Sequence, residues 1–239
     1  MKRKKPNGLI AKWKGAFSKE KAVDAAAQPK QGEAAPQGSS LIFFKKLPVT
    51  FQLSRLENPK DFELMSFVIR ACSKTADKPH WTVLHVERCG KGSRLVACDG
   101  HRLHVAEISK KIKSGNYKPY ATKDAIMLGE PIPGMKFPAW SKAVPDKSKK
   151  LGDISLEKSG LGKDRKETEK LTIALHALAE QTGEAVNIRF IEDLTKREWA
   201  VYRQNDGQHG IVLRQKDSRL GEPGENSPVA VIMPIQKAA

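Results

Sequence analysis

The stretch Leu95-Val96-Ala97-Cys98-Asp99-Gly100-His101-Arg102-Leu103-His104-Val105 decides the reading of this chain. Leu95 to Ala97 and Leu103 to Ile108 are apolar-rich runs with the period-2 pattern of half-buried strands. Asp99-Gly100 between them is a turn signal, because glycine adopts positive φ without steric cost. The turn leads at once to His101 and Arg102, so a strand end presents an imidazole and a cation beside apolar neighbours. From the residues alone this is either a hairpin with a solvated polar tip or a rigid platform for a ligand.

Upstream, Val49 to Leu53 reads as a strand. A helix then starts with Asn58 as cap, Pro59 at the first helical position and Asp61 in the first turn. Phe62, Met65, Val68, Ile69 and Cys72 recur at helical spacing and predict a core-facing stripe, with Lys60, Arg70 and Lys74 elsewhere on the same helix. Lys78-Pro79 stops it. Trp81 to Arg88 follows as a strand with Leu84 and Val86 on one side, and Cys89-Gly90-Lys91-Gly92 turns into Ser93 to Cys98.

Downstream, 109–134 and 146–162 lack sustained periodicity and are expected as loops, apart from a short strand over 125–128. Between them Phe137 to Pro145 is stiffened by a proline near each end, and Trp140 offers it an apolar face. A second helix is expected over 165–181, striped by Leu171, Leu175 and Leu178 and ended by Gly183. His176, among apolar neighbours, reads as a core or boundary histidine. Val186 to Phe190 alternates as a strand, and 192–197 suits either a helical turn or a loop. Trp199 to Gln204 alternates again, Asn205-Asp206-Gly207 makes a hairpin turn into His209 to Arg214, and Val229 to Ile235 closes the chain.

Composition sets outer limits. The chain has 239 residues, 43 Lys+Arg against 27 Asp+Glu, and a formal net charge of +16, which points to a polyanion such as nucleic acid as partner. No apolar run approaches the ~20 residues that span a bilayer, and the basic start lacks the apolar core of a secretory signal. Cys72, Cys89 and Cys98 show no paired spacing and fit a reducing cytoplasm. Residues 1–40 read as a disordered basic tail: Arg3, Lys4 and Lys5 open it, and an Ala, Gln, Pro, Gly and Ser stretch without periodicity follows. His80 and His85, or His101 and His104, come with no nucleophile elbow, phosphate loop, paired cysteines or His-Glu-x-x-His. Catalysis, a cofactor and a metal are therefore not expected.

Asp99-Gly100-His101-Arg102-Leu103 resembles the Asp-Gly-His-Arg-Leu signature of the bacterial sliding clamp, the beta subunit of DNA polymerase III. Phe137-Pro138-Ala139-Trp140-Ser141-Lys142-Ala143-Val144-Pro145 is similar to that family's Phe-Pro-Asp-Tyr-Arg-Arg-Val-Ile-Pro linker. Val231-Ile232-Met233-Pro234-Ile235-Gln236 resembles its terminal Val-Val-Met-Pro-Met-Arg. The three occur in the family's order. The resemblance implies an α+β, DNA-clamp-like fold with helices packed on antiparallel sheets. It divides the chain into the tail (1–40), a clamp-like domain with the hairpin (41–145) and a second clamp-like half (146–239).

The resemblance also implies function. It implies a processivity factor that holds DNA non-specifically by its phosphates and recruits a polymerase or other proteins carrying clamp-binding peptides. The matching pocket positions are Cys98, Gly100, His101, Arg102 and Leu103 from the hairpin, Pro138, Lys142 and Ala143 from the linker, and Val231, Met233, Pro234 and Ile235 from the end. Helix and tail cations are the implied DNA contacts: Arg3, Lys4, Lys5, Lys60, Arg70, Lys74, Arg165, Lys166 and Lys170. Cys98 in place of threonine, and Ala139, Ser141 and Gln236 in place of charged residues, bear on partner preference. The chain has material for one to two of the family's three domains. Ring closure would therefore take more copies, and the alternative is an adaptor that keeps the pocket and does not encircle DNA. Ser40-Leu41-Ile42-Phe43-Phe44 is either a first strand or a segment resembling the partner peptide itself.

Overall fold

The hairpin forms where the turn chemistry places it. In the computed structural model, which describes residues 48–75, 78–144, 148–155, 167–194, 198–203, 210–217 and 221–235, strand β3 is Gly92–Cys98 and β4 is Arg102–Ile108. They pair antiparallel with Cys98 opposite Leu103 and Leu95 opposite Ala106. The Asp99 carboxylate accepts the backbone N–H groups of His101 and Arg102, both at 3.0 Å, which closes the turn from within. Gly100 takes φ 88°, and a Cβ there would lie 2.7 Å from the Trp81 ring. Positive φ and close approach both require glycine.

The other elements are β1 (Phe51–Ser54), helix α1 (Pro59–Ile69), β2 (Leu84–Cys89), β5 (Gly115–Tyr117), β6 (Pro119–Ala121) and β7 (Ala125–Leu128). Strand β8 (Lys149–Ser155), helices α2 (Glu167–Thr182) and α3 (Ile188–Glu192), and β9 (Glu198–Arg203), β10 (Ile211–Gln215) and β11 (Val229–Ile232) complete them. One sheet runs β5-β2-β3-β4-β11-β10-β9-β8, and a small sheet runs β1-β7-β6. Every recorded pairing is antiparallel. The fold is thus α+β, with helices on antiparallel sheets.

Strand alternation gives the large sheet two unlike faces. Leu95, Ala97, Ala106, Ala230, Ile232, Leu213, Ile211 and Val201 join Phe62, Met65, Phe67 and Val68 of α1 and Ala174 and Leu178 of α2 in one core. Their strand neighbours Val96, Cys98, Leu103, Val105, Val212, Val229 and Val231 form a second cluster with Ala143, against which Phe137, Trp140 and Val144 pack. Both major helices therefore cover one face, and the 137–144 linker covers part of the other.

Several expectations change. The α1 stripe gains Phe67, fully buried because it stacks on His104 at 4.3 Å and 7°. Asn58 occupies the N-cap without a side-chain hydrogen bond. Asp61 is buried and accepts from the Ser109 N–H and hydroxyl, which ties α1 to the end of β4. Trp81 lies in a 3₁₀ turn, Pro79–Trp81, and not in β2. The 109–134 stretch holds β5 and β6, and 146–162 holds β8. The expected strand over 186–190 is helix α3, because the Asn187 side chain accepts from the Arg189 N–H and caps it. His176 is exposed. The tail, Leu41 to Phe44 and the Asn205-Asp206-Gly207 turn lie outside the described residues.

Candidate functional site

The hairpin tip and the chain end meet edge to edge. Strand β11 pairs with β4, with Val231 opposite Leu103 and Val229 opposite Val105. Past the strand, the Met233 N–H donates to the His101 carbonyl at 2.8 Å, so the register continues to the tip. On the linker face, Cys98, Leu103, Val231 and Val212 form a cross-strand row. A second row is Val96, Val105 and Val229, and Arg214 stands beyond Val229 on β10. Ala143 seats on these rows, where it is 4% exposed.

A polar row fastens the linker at its other end. Glu87, Arg94 and Glu107 stand opposite one another on β2, β3 and β4. Arg94 donates to Glu107 from Nε at 3.0 Å and Nη2 at 2.7 Å, and its guanidinium lies 5.7 Å from the Trp140 ring centre. The Trp140 indole N–H donates to Glu87 at 2.9 Å. Phe137 stacks on His85 at 4.7 Å and 6°. Beside Trp140 and Val144 a shallow cleft of about 190 Å³ opens over Val105 and Val229 toward Arg214.

Electrostatics separate structural groups from surface ones. Burial pushes the Cys98 thiol up to about 12, reinforced by the Asp99 charge and by Cys72 and opposed by a hydrogen bond from the Gly100 backbone. This cysteine packs as a small hydrophobe and offers no thiolate. Arg102 turns to the helix face. Its Nε donates to Asp99 at 3.0 Å, Nη1 pairs with Asp193 just past α3, and the guanidinium lies 4.9 Å from the Phe190 ring. Arg102 thereby bolts the hairpin to α3.

No protein-family model matches the sequence, and no curated protein matches it. Solved structures do. The DNA polymerase III beta subunit of Thermotoga maritima superposes with a TM-score of 0.50 at 14% identity, over 87% of this chain and 68% of that one. The DNA polymerase sliding clamp of Pseudomonas aeruginosa gives 0.50 at 12% identity, over 80% and 68%. A putative DNA polymerase III beta subunit from Eubacterium rectale gives 0.50 at 13%, over 87% and 72%. This chain has the bacterial sliding-clamp fold.

Within this clamp fold the candidate pocket residues differ in burial and in the face they occupy. Cys98, Leu103, Ala143 and Val231 are buried and already in contact with the chain's own side chains. Gly100, Pro138, Met233 and Pro234 are half-buried, and His101, Lys142 and Ile235 are exposed. Arg102 is half-buried on the other face. Of the DNA candidates, Lys60, Arg70 and Lys74 are exposed on or just after α1, away from the linker, and Arg70 donates to the Asp193 carbonyl at 3.1 Å. Lys170 belongs to α2, though its side chain lies outside the description, as do Arg165, Lys166, Arg3, Lys4 and Lys5.

Sequence reasoning missed Trp81, whose indole lies over Gly100 beneath the Lys78 ammonium, 4.4 Å from its ring centre. It also missed His85 and Glu87 as partners of the linker. An aromatic just before a strand was the available signal for Trp81; the other two had none, since their partners lie far along the chain. Among the described residues, no three His, Cys, Asp or Glu side chains are grouped to hold a metal. No helix among them is long and apolar enough to cross a membrane.

Proposed function

We propose that this chain is a cytoplasmic, non-enzymatic, sliding-clamp-like factor. It holds DNA without sequence preference and recruits a polymerase or other partner by a short apolar peptide. The observation that supports the reading is the β4–β11 seam: Met233 is hydrogen-bonded to His101 along it, and Phe137, Trp140 and Ala143 of the linker pack on the same sheet face as Leu103 and Val231. The peptide's leucine and phenylalanine would lie on Met233, Pro138 and the Gly100–Trp81 surface, where a flexible thioether and an indole adapt to apolar side chains. His101 and Lys142, both exposed, would orient its polar end.

DNA would meet the helix face. Lys60, Arg70 and Lys74 project there, and the formal net charge of +16 supplies the attraction. Such contacts go to phosphates, so affinity should fall by roughly 0.9 log units per log unit of salt for each phosphate neutralised.

The partner reading is tested with a labelled Leu-x-Leu-Phe peptide and fluorescence anisotropy. Binding that is lost in Met233→Lys, with the fold intact, supports it; binding unchanged in that variant overturns it. A second reading is an adaptor that keeps the partner pocket and does not encircle DNA. Retention on closed circular DNA and loss on linearisation distinguishes an encircling assembly of copies from that adaptor.

A further inference from the structure

Strands β2 and β5 and the linker meet around His85, where each ring nitrogen faces an oxygen. Asn116 Nδ2 donates to the Met135 carbonyl at 2.7 Å. That bond fixes the amide and turns its Oδ1 to His85 Nδ1, also at 2.7 Å, so Nδ1 carries a proton. On the far side, Nε2 stands 3.2 Å from Glu87 Oε1, the oxygen that accepts the Trp140 indole N–H. A neutral ring protonated on Nδ1 would set its Nε2 lone pair against that carboxylate. The imidazolium donates to both oxygens.

The remaining surroundings agree. Phe137 lies flat on the ring at 4.7 Å, a position in which an aromatic face attracts a cation. Arg94 approaches the second Glu87 oxygen only to 3.9 Å and is bonded to Glu107, which leaves Glu87 to His85 and Trp140. The charged and polar groups facing His85 are thus Glu87 on its own strand, Arg94 from β3 by way of Glu87, and Asn116 from β5. Phe137 and Trp140 approach from the linker.

We propose that His85 is a protonation-dependent clasp: its imidazolium fastens the Met135–Trp140 segment to the sheet through Glu87, Asn116 and Phe137. Releasing the Nε2 proton to solvent loosens the segment. A charge-assisted hydrogen bond is lost and a lone pair is left against a carboxylate, so the ratio of fastened to loose linker falls about tenfold. The loosened segment carries Pro138 and leads into Lys142 and Ala143. This consequence rests on the peptide-pocket reading: partner affinity should weaken as pH rises through the His85 titration. The clasp itself does not rest on it.

The test is a pH titration of the full chain by ¹⁵N NMR without peptide, following the His85 ring nitrogens and the Trp140 indole N–H. The expected result is a doubly protonated His85 on the acid side, with the Trp140 resonance moving in step as the Nε2 proton leaves. A His85 that holds one ring proton throughout while the Trp140 bond persists overturns the clasp. So does a Trp140 resonance indifferent to the His85 titration. In His85→Phe, which keeps a ring over Phe137, the Trp140 resonance should lose its pH dependence; should that variant not fold, the unmutated titration decides alone. The labelled peptide run over the same pH range separates the two ideas. No binding at any pH beside an intact coupled titration removes the pocket and leaves the clasp.

Discussion

Acid should unfold this protein through His104. The ring is fully buried between α1 and β4, stacked on Phe67 at 4.3 Å, with Nδ1 2.8 Å from the Phe67 carbonyl and Nε2 without a partner among the described residues. Burial drives its pKa down from 6.5 to about 3, the Phe67 hydrogen bond opposes this, and the Arg102 and Arg70 charges add to it. The folded state therefore keeps a neutral ring where the unfolded chain takes a proton. Stability from this group is complete above about pH 6.5 and is lost as pH falls from there toward about 3. Each pH unit inside that window costs about 1.4 kcal/mol, so at pH 5 the loss is about 2 kcal/mol. Urea unfolding from pH 7.5 to 4.5 measures it. His104→Gln, which can still donate to the Phe67 carbonyl and does not titrate, subtracts the contribution of the carboxylates. A wild-type slope no steeper than that of His104→Gln would refute the reasoning.

Gly100→Ala forces a Cβ into positive φ, 2.7 Å from the Trp81 ring, and should cost about 2 kcal/mol. A lower urea midpoint with altered tryptophan fluorescence reports it. Asp193→Ala removes the carboxylate that Arg102 Nη1 reaches and should cost about 1–3 kcal/mol, read by thermal denaturation, with amide exchange accelerated in α3. Trp199→Ala empties the largest fully buried side chain among the described residues and should cost about 3–5 kcal/mol by urea titration.

What the sequence disclosed follows the range of the interactions. The β3–β4 hairpin and α1 were legible because Asp99, Gly100, Pro59 and the apolar stripe act within a few residues of themselves. Strand β8 was not, because Lys149-Lys150-Leu151-Gly152-Asp153 reads as a polar loop. It becomes a strand through β9 and through Asp153, which gathers Lys150 and Lys216. The alternation of Val186, Ile188 and Phe190 predicts a strand where helix α3 forms; one side-chain cap at Asn187 outweighs that pattern. For the candidate site, periodicity proposed the strands β4 and β11 but could not pair them. Only the motif resemblance joined the hairpin to the chain end. Arg102 shows the limit of that inference: the motif supplies the residue, and Asp99, Asp193 and Phe190 decide which way it faces.

The seam between β4 and β11 also dictates when the protein can exist. Strand β11, the C-terminal strand among the described residues, is inserted mid-sheet between β4 and β10, so until Val229 to Ile232 is made the sheet has two raw strand edges with nothing to join them. Closure waits for that strand and joins it to β4 across a separation of more than half of the 239 residues. Assembly is slow by topology, and a cut between Ile108 and Val229 severs the covalent link between the two strands of the seam rather than trimming an end.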